Sequence, residues 1–120
     1  MITVEQIRDW SNESARNKLE EKIEEYIDSK IKQNLLNGKT HAIRISTGSS
    51  IKNDHFKNDF YDLWCNDKIS DDNLNKVKAN IIKKYRSIGL EVDEVQIDEG
   101  HYVSYPGLRI IIPDELLEDN

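Results

Sequence analysis

A run of small polar residues offers the first candidate for chemistry in this chain. Ser46-Thr47-Gly48-Ser49-Ser50 follows a predicted strand, and its hydroxyl and backbone N–H groups are of the kind that bind a small anion. Lys52 is the nearest cation, but the glycine spacing and the lysine of a P-loop are missing. A plain polar loop is therefore the favoured interpretation, and an anion-binding loop is the alternative.

The histidines and carboxylates contain one pair with metal-ligand spacing. His55 and Asp59 lie at positions i and i+4 of a predicted helix, and Asp62 lies near the same face. A helical zinc motif would present two histidines and a third ligand, so we interpret this pair as facing solvent. His41 and His101 fall in separate predicted strands. We predict no metal site and no cofactor.

The only thiol, Cys65, lacks the neighbours of a catalytic nucleophile. Asp62, rather than a histidine, occupies the preceding turn, and Trp64 lies beside it in the sequence. A nucleophile needs an adjacent base that a third group orients, so Cys65 is interpreted as a small buried hydrophobe. No carboxylate lies in an apolar stretch that would raise its pKa, as a general acid requires. We therefore expect a non-catalytic protein.

Composition limits the class of protein. The chain has 120 residues, 37% of them hydrophobic, and its 17 basic and 23 acidic residues give a net charge of −6. These values indicate one domain, and the periodic apolar clusters exclude global disorder. A single cysteine excludes an internal disulfide. The longest apolar runs are far shorter than the roughly 20 residues of a membrane helix, and Met1 to Gln6 resembles no secretory signal. A cytoplasmic location is expected.

Two charged helix faces could meet partners. The basic one, on the second long helix, is interpreted as solvated, so no nucleic acid partner is expected; it comprises Lys76, Lys78, Lys83, Lys84 and Arg86. The acidic one could imitate a phosphate backbone and occupy a basic groove of a host enzyme, although lysines interrupt it. Its carboxylates, predicted to face solvent, are Glu20, Glu21, Glu24, Glu25 and Asp28.

The first half of the chain is predicted to hold two helices, a strand and a short helix. Thr3 and Gln6 have capping-box spacing, and a first short helix ends at Ser11-Asn12. A second helix follows from 14 to 37, stopped by Gly38. Strand one covers 40–46. An aromatic-faced helix over 54–66 then presents Phe56, Phe60 and Trp64.

The second half is predicted to hold a long helix and extended strands. The helix starts at Ser70 and ends at Gly89. The next strand changes phase at Asp93-Glu94, which predicts a bulge. Pro106-Gly107 indicates either one long strand with a bulge, which we favour, or a turn between two short strands. An acidic tail covers 114–120, with Leu116 and Leu117 packing back on the domain.

These elements predict a single α+β domain over residues 1–120. Its sheet has about three strands, packed on one face by two long and two short helices in the order ααβααββ.

The C-terminal part resembles a unit of small proteins from tailed bacteriophages. The resemblance covers about the last 45 residues: a helix ending at Gly89, a strand from Leu90, a turn at Asp98-Glu99-Gly100, and the run from Leu108 to Pro113. The bias towards Asn, Lys, Ile and Asp is similar to that of AT-rich genomes. The resemblance implies a virion component or an early host-interaction protein, located in the host cytoplasm or in the virion.

Three functions follow as hypotheses. The favoured one is a non-catalytic protein–protein interaction component, a phage virion or assembly protein whose aromatic helix and sheet contact copies of itself or virion neighbours. The second is an inhibitor that binds a host enzyme through the acidic helix face. The third is a binder of a small anionic ligand at the Ser46–Ser50 loop.

Overall fold

The computed structural model describes residues 1–38, 42–51, 54–98, 100 and 103–117, and for 49–51 and 54–57 it describes only the backbone. The α+β class is confirmed, with two long and two short helices. In chain order the elements are α1 Val4–Leu36, β1 Ala42–Ser46, β2 Gly48–Ile51, β3 Asp54–Lys57, α2 Asp59–Trp64, α3 Asp71–Ser87, β4 Glu91–Asp98, β5 Ser104–Ile111 and α4 Asp114–Leu117.

The main sheet has three antiparallel strands in the order β1-β5-β4, so β5 is central. Its register places Ile43, Ile110 and Val92 side by side across the sheet. All three are buried, because α1 and α3 pack on this face and close the hydrophobic core. The strands β2 and β3 form a separate hairpin.

The N-terminal helix α1 is continuous over 33 residues, or about 50 Å. The predicted capping box is present: the Gln6 backbone N–H donates to Thr3 Oγ1 at 3.1 Å, and the Thr3 N–H donates to Gln6 Oε1 at 2.9 Å. The predicted break at Ser11-Asn12 is wrong. Serine and asparagine each cost a helix at most about 0.7 kcal/mol relative to alanine, too little to stop it without glycine or proline.

Residues 48–51 and 54–57 form two paired strands where the sequence predicted a loop and the start of a helix. β2 and β3 pair antiparallel from Gly48 opposite Lys57 to Ile51 opposite Asp54. The helix α2 begins only after Asn58, whose Oδ1 accepts the Tyr61 backbone N–H at 3.2 Å. The Asn58 N–H donates to the Thr47 carbonyl, which keeps the chain extended up to this cap.

Helix α3 confirms its prediction at both ends. Ser70 is the N-cap, with its hydroxyl accepting the Asn73 N–H at 3.2 Å. Gly89 follows the helix with φ of 100°, a left-handed conformation that favours glycine. The core-facing side of the helix is buried at Leu74, Val77, Ile81 and Tyr85.

The strand β4 contains no bulge, contrary to the prediction. Its pairing with β5 runs without interruption from Glu91 opposite Ile111 to Asp98 opposite Ser104. The alternation of apolar residues changes phase along β4 because each face of the strand buries one apolar residue. Val92 faces the helices, whereas Ile97 lies on the second face, next to Gly107.

Pro106 lies within one long strand, as the favoured prediction has it, but the predicted bulge is absent, because the pairing with β4 continues past Pro106, and the strand is the central one of the sheet rather than an edge. The pairing of β1 with β5 ends at Ser46 opposite Gly107, so no β1 carbonyl of the ladder needs a donor from Pro106. The carbonyl of Pro106 accepts two hydrogen bonds from the buried Thr47, at 3.0 Å from its N–H and 2.6 Å from its hydroxyl.

The C-terminal helix α4 packs back on the domain, as predicted. Leu117 contacts the core, and Leu116 lies beside Gly89. Within the described ranges, no helix is both long and apolar enough to cross a membrane.

Gly107 has no room for a side chain, because an added Cβ would overlap the Ile45 carbonyl oxygen. We expect Gly107→Ala to lower the free energy of unfolding by about 1–3 kcal/mol through overpacking. Ser104→Ala, at an exposed position of the same strand, should change it by less than about 0.5 kcal/mol. Urea denaturation measures both, and equal stability of the two variants would contradict the close packing at Gly107.

Candidate functional site

The aromatic residues predicted to form a partner surface lie in the core. Phe60 and Trp64 are completely buried, and Phe60 stacks with Trp64 at 5.6 Å and with Tyr26 of α1 at 5.0 Å between ring centroids. A six-residue helix such as α2 gains its stability from burying such a face. These two rings are therefore unavailable to a partner, and the Phe56 side chain lies outside the described residues.

Three carboxylates of the predicted acidic surface accept hydrogen bonds from α3, and one of them, Glu20, is buried. Glu20 is buried and accepts hydrogen bonds from Asn80 Nδ2 at 3.0 Å and Lys84 Nζ at 3.4 Å. Glu24 accepts from Lys84 Nζ at 2.6 Å. The prediction of a solvated acidic face is wrong for Glu20, which is buried, whereas Glu24 is half-buried; both carboxylates lie on the side of α1 that packs against α3.

Asp28 completes this contact through the buried Tyr85. The Tyr85 hydroxyl donates to Asp28 Oδ1 at 2.6 Å and also lies 3.2 Å from the Glu24 carbonyl oxygen. Burial, followed by the hydrogen bond to Asp28, raises the pKa of the Tyr85 phenol. Only Glu21 and Glu25 of the five predicted carboxylates remain exposed without a described contact to α3.

The predicted metal-ligand pair is separated by the fold. His55 belongs to β3, whereas Asp59 is the first residue of α2, so they do not share a helix face. Among the described residues, no group of three histidine, cysteine or carboxylate side chains could hold a metal ion. His41 and His101 lie outside those residues. Cys65 caps α2 and packs against the core, as its interpretation as a buried hydrophobe predicts.

The basic side of α3 borders a groove of about 880 Å³ that also contains Glu94 of β4. Arg86 is held there by its own domain, since Nε and Nη2 donate to the Val92 carbonyl at 3.0 and 2.7 Å. Lys78 lies over the Trp64 ring, 5.3 Å from its centroid. The interpretation of a merely solvated face is incomplete, because these cations stabilise α3 against its neighbours.

The predicted anion-binding segment borders a smaller and more polar cavity. Ser46 and Gly48 line a space of about 370 Å³ between the C-terminal half of α1 and the outer edge of β1, which we call the polar cavity. Thr47 is turned away, towards Pro106. Ser49 and Ser50 belong to β2, and Lys52 lies outside the described residues. The sequence pattern missed the cations that complete this wall, Lys30 and Arg44.

The N-terminal third of α1 projects without any contact to the core. Residues 1–14 are exposed throughout, and the first buried residue is Leu19. Large apolar side chains lie on this exposed part: Val4 is 63%, Ile7 56% and Trp10 52% exposed. We call residues 4–14 the arm. The sequence predicted a helix here but not an exposed surface, because the predicted break at Ser11-Asn12 separated these residues from the rest of α1.

No family model, no curated protein and no solved structure matches this chain. The resemblance to phage proteins therefore stays a prediction.

The contact between α1 and α3 predicts a change of stability in alkali. Because the Tyr85 pKa is raised in the folded state, the unfolded phenol ionises first above about pH 10, and rising pH then favours unfolding. The Tyr85→Phe variant has no ionisable phenol at this position. Near neutral pH it should be less stable by about 1–2 kcal/mol, because it lacks the hydrogen bond to Asp28. We expect the stability difference between the two proteins to shrink between about pH 9 and pH 11 in urea denaturation. A constant difference over this interval would contradict the raised pKa.

Proposed function

We propose that this protein is a non-catalytic protein–protein interaction component that pairs with a second copy of itself through the arm. The observation that carries the proposal is that Val4, Ile7 and Trp10 are each more than half exposed, on a helical segment whose residues are all exposed. Scattered apolar residues are common on surfaces, but neighbouring ones on a single projecting helix face are typical of an interaction site.

The length of the arm supports this proposal. An isolated helix shorter than about 12–15 residues is marginal in water, and the arm has fewer residues than that. The capping box at Thr3 favours the helix, as does its continuity with the buried turns after Leu19. A partner packed along the arm would add the tertiary contacts that most protein helices depend on.

The apolar side of the arm points away from its own domain. Each of Val4, Ile7, Trp10, Ser11 and Ser14 lies three or four residues from another member of the set, so they share one face, which we call the arm stripe. Ile7 precedes the buried Ile23 by sixteen residues, which corresponds to a rotation of about 160° around the helix. A partner on the stripe would therefore not collide with α3 or the sheet.

The arm stripe suits a second copy of the same chain. The acidic residues of the arm, Glu5, Asp9 and Glu13, lie on the other side of the helix, and Arg8 borders the stripe next to Val4. The large residues of the stripe come first and its small residues, Ser11 and Ser14, come later. In an antiparallel pair with twofold symmetry, Trp10 lies opposite Ser11 of the partner and Ile7 lies opposite its Ser14. Twofold symmetry repeats each of these two pairs, so every large residue named here faces a small one and the helices can approach closely.

The acidic inhibitor hypothesis has less support. Glu20, Glu24 and Asp28 already accept hydrogen bonds from α3, so a host enzyme would have to compete with these contacts. A partner that binds the arm would not have to displace any of these hydrogen bonds.

The pairing is tested by adding one negative charge on or off the arm stripe. Ser11→Asp places a carboxylate against the apolar Trp10 of the partner and should yield a monomer. Asn12→Asp adds the same charge one residue later, outside the stripe, and should leave a dimer like that of the unchanged protein. Size-exclusion chromatography with light scattering, at low and high salt, measures the mass. An apolar interface should persist at high salt.

Two results would overturn self-association. A monomeric unchanged protein at every concentration would exclude it, and so would a dimer that Ser11→Asp leaves intact. If Asn12→Asp also dissociated the dimer, the interface would not be the stripe that we propose.

A further inference from the structure

We propose that the groove between α3 and β4 binds an extended acidic segment of another protein, which pairs with β4 as a fourth strand of the sheet. The groove has a volume of about 880 Å³ and lies away from the arm, so the inference does not rest on the proposed function. Segments that add a strand to a free sheet edge gain affinity from backbone hydrogen bonds and specificity from the side chains that meet the groove.

The backbone of β4 has a free edge. The strand order β1-β5-β4 places no described strand on the outer side of β4. The Thr47 N–H donates to the Pro106 carbonyl, so the backbone groups of Pro106 point towards β1. Because these groups alternate along an antiparallel strand, Gly107 points the other way and bonds to Val95 of β4. The alternate residues of β4 therefore direct their N–H and C=O groups outwards; they are Val92, Glu94, Gln96 and Asp98.

One side chain already bonds to this edge. Arg86 of α3 donates from Nε and Nη2 to the Val92 carbonyl, at 3.0 and 2.7 Å, and so occupies the place of a partner strand there. The next three outward residues, Glu94, Gln96 and Asp98, are exposed, and their backbone groups have no such partner in the part of the chain that the structure describes. They span about 13 Å, a length that a bound segment of five residues can cover.

The helix that faces this edge is basic. Lys78, Lys83 and Arg86 of α3 line the groove, and Glu94 is the only carboxylate of its described lining. Neither Lys78 nor Lys83 forms an ion pair with a described carboxylate. This excess of cations is local, because the chain as a whole has a net charge of −6. It favours a partner that contributes carboxylates.

Lys78 is held at the groove by an aromatic ring rather than by an acid. The lysine is half-buried, and its ammonium lies 5.3 Å from the centroid of the buried Trp64 ring. A cation–π contact positions the ammonium without neutralising its charge, so it remains available to a carboxylate. The half-buried Ile82 adds an apolar contact to the same groove.

Glu94 determines the pattern of the bound segment. Its side chain lies on the helix-facing side of β4, and a carboxylate directly opposite it would be repelled. We expect an uncharged residue there, with a carboxylate two positions away on each side, since residues two apart share a face. One carboxylate then lies opposite Val92, beside Arg86, and the other opposite Gln96. The residues between them point to the other face, where the half-buried Val95 is an apolar neighbour.

A second copy of β4 does not suit this edge. Four of the eight residues of β4 are acidic, so pairing two such strands would bring carboxylates together. Charged residues on an edge strand commonly protect a protein against this kind of self-pairing. The partner must therefore have a different sequence, with its carboxylates placed to avoid Glu94.

Nuclear magnetic resonance titration with the peptide Glu-Val-Thr-Val-Glu, blocked at both ends, tests this pairing. The peptide sequence is the same in both directions, so parallel and antiparallel addition can both place threonine opposite Glu94. We expect the backbone amide signals of Glu94, Gln96 and Asp98 to shift. The analogue Lys-Val-Thr-Val-Lys should bind about tenfold more weakly or less tightly still, because it lacks the charge-assisted contacts with α3.

Substitutions in the protein separate backbone pairing from charge. Gln96→Pro removes an outward N–H but none from the ladder, because Gln96 lies opposite Pro106, whose backbone points to β1. It should weaken peptide binding about fivefold or more, whereas Gln96→Ala, which keeps the N–H, should change it less than about twofold. Lys78→Gln should also weaken binding about fivefold, and Lys76→Gln, at an exposed position of α3 outside the groove, less than about twofold.

Other results would overturn the inference. If the acidic peptide shifted no signal of β4, the edge would not bind such a segment. If the lysine analogue bound equally well, the charge of the partner would be wrong, and equal binding by Gln96→Pro and Gln96→Ala would exclude backbone pairing. Circular dichroism shows whether each variant is folded. Ser11→Asp should bind the acidic peptide normally, so a failure of self-association and a failure of this groove are distinguishable.

Discussion

The burial of Ile23 and Ile27 in the central turns of α1 is the contact on which the rest of the molecule depends. Both side chains are completely buried, and α1 thereby contacts β1, α2 and α3. The stacked rings of α2 and the hydrogen bonds from α3 to Glu20 follow from this placement. Because the core contacts only the middle of a helix of about 50 Å, the residues at both ends of α1 are exposed.

The sequence predicted correctly those elements whose ends and apolar face depend on interactions between residues close in the chain. Helix α3 has a serine cap, a continuous apolar seam and a terminal glycine, and the structure bears out all three. The hairpin at 48–57 has no such signal. Its strands are short and polar, and the hydrogen bond from Asn58 to the Thr47 carbonyl, which holds the chain extended before α2, joins positions eleven residues apart. Periodicity cannot detect a contact of that kind.

The candidate sites were harder to predict for a related reason. The side of α1 that carries Glu20, Glu24 and Asp28 looks solvated in the sequence, but each carboxylate has a hydrogen-bond donor on α3, about sixty residues later. Likewise, the residues that line the polar cavity with Ser46 and its neighbours come from α1 and from Asn58, which the sequence does not place near it. A sequence shows residue types, whereas a binding wall is formed by tertiary placement.

The chemistry of the two ends of α1 differs because each end meets a different environment. At its start no strand or helix of the described residues buries Ile7 or Trp10, so these apolar side chains remain in contact with water. At its other end the helix runs beside the outer edge of β1, where the backbone groups of the edge strand need polar neighbours. The two ends of α1 therefore present different chemistry, an exposed apolar face at the start and a polar strand edge at the end.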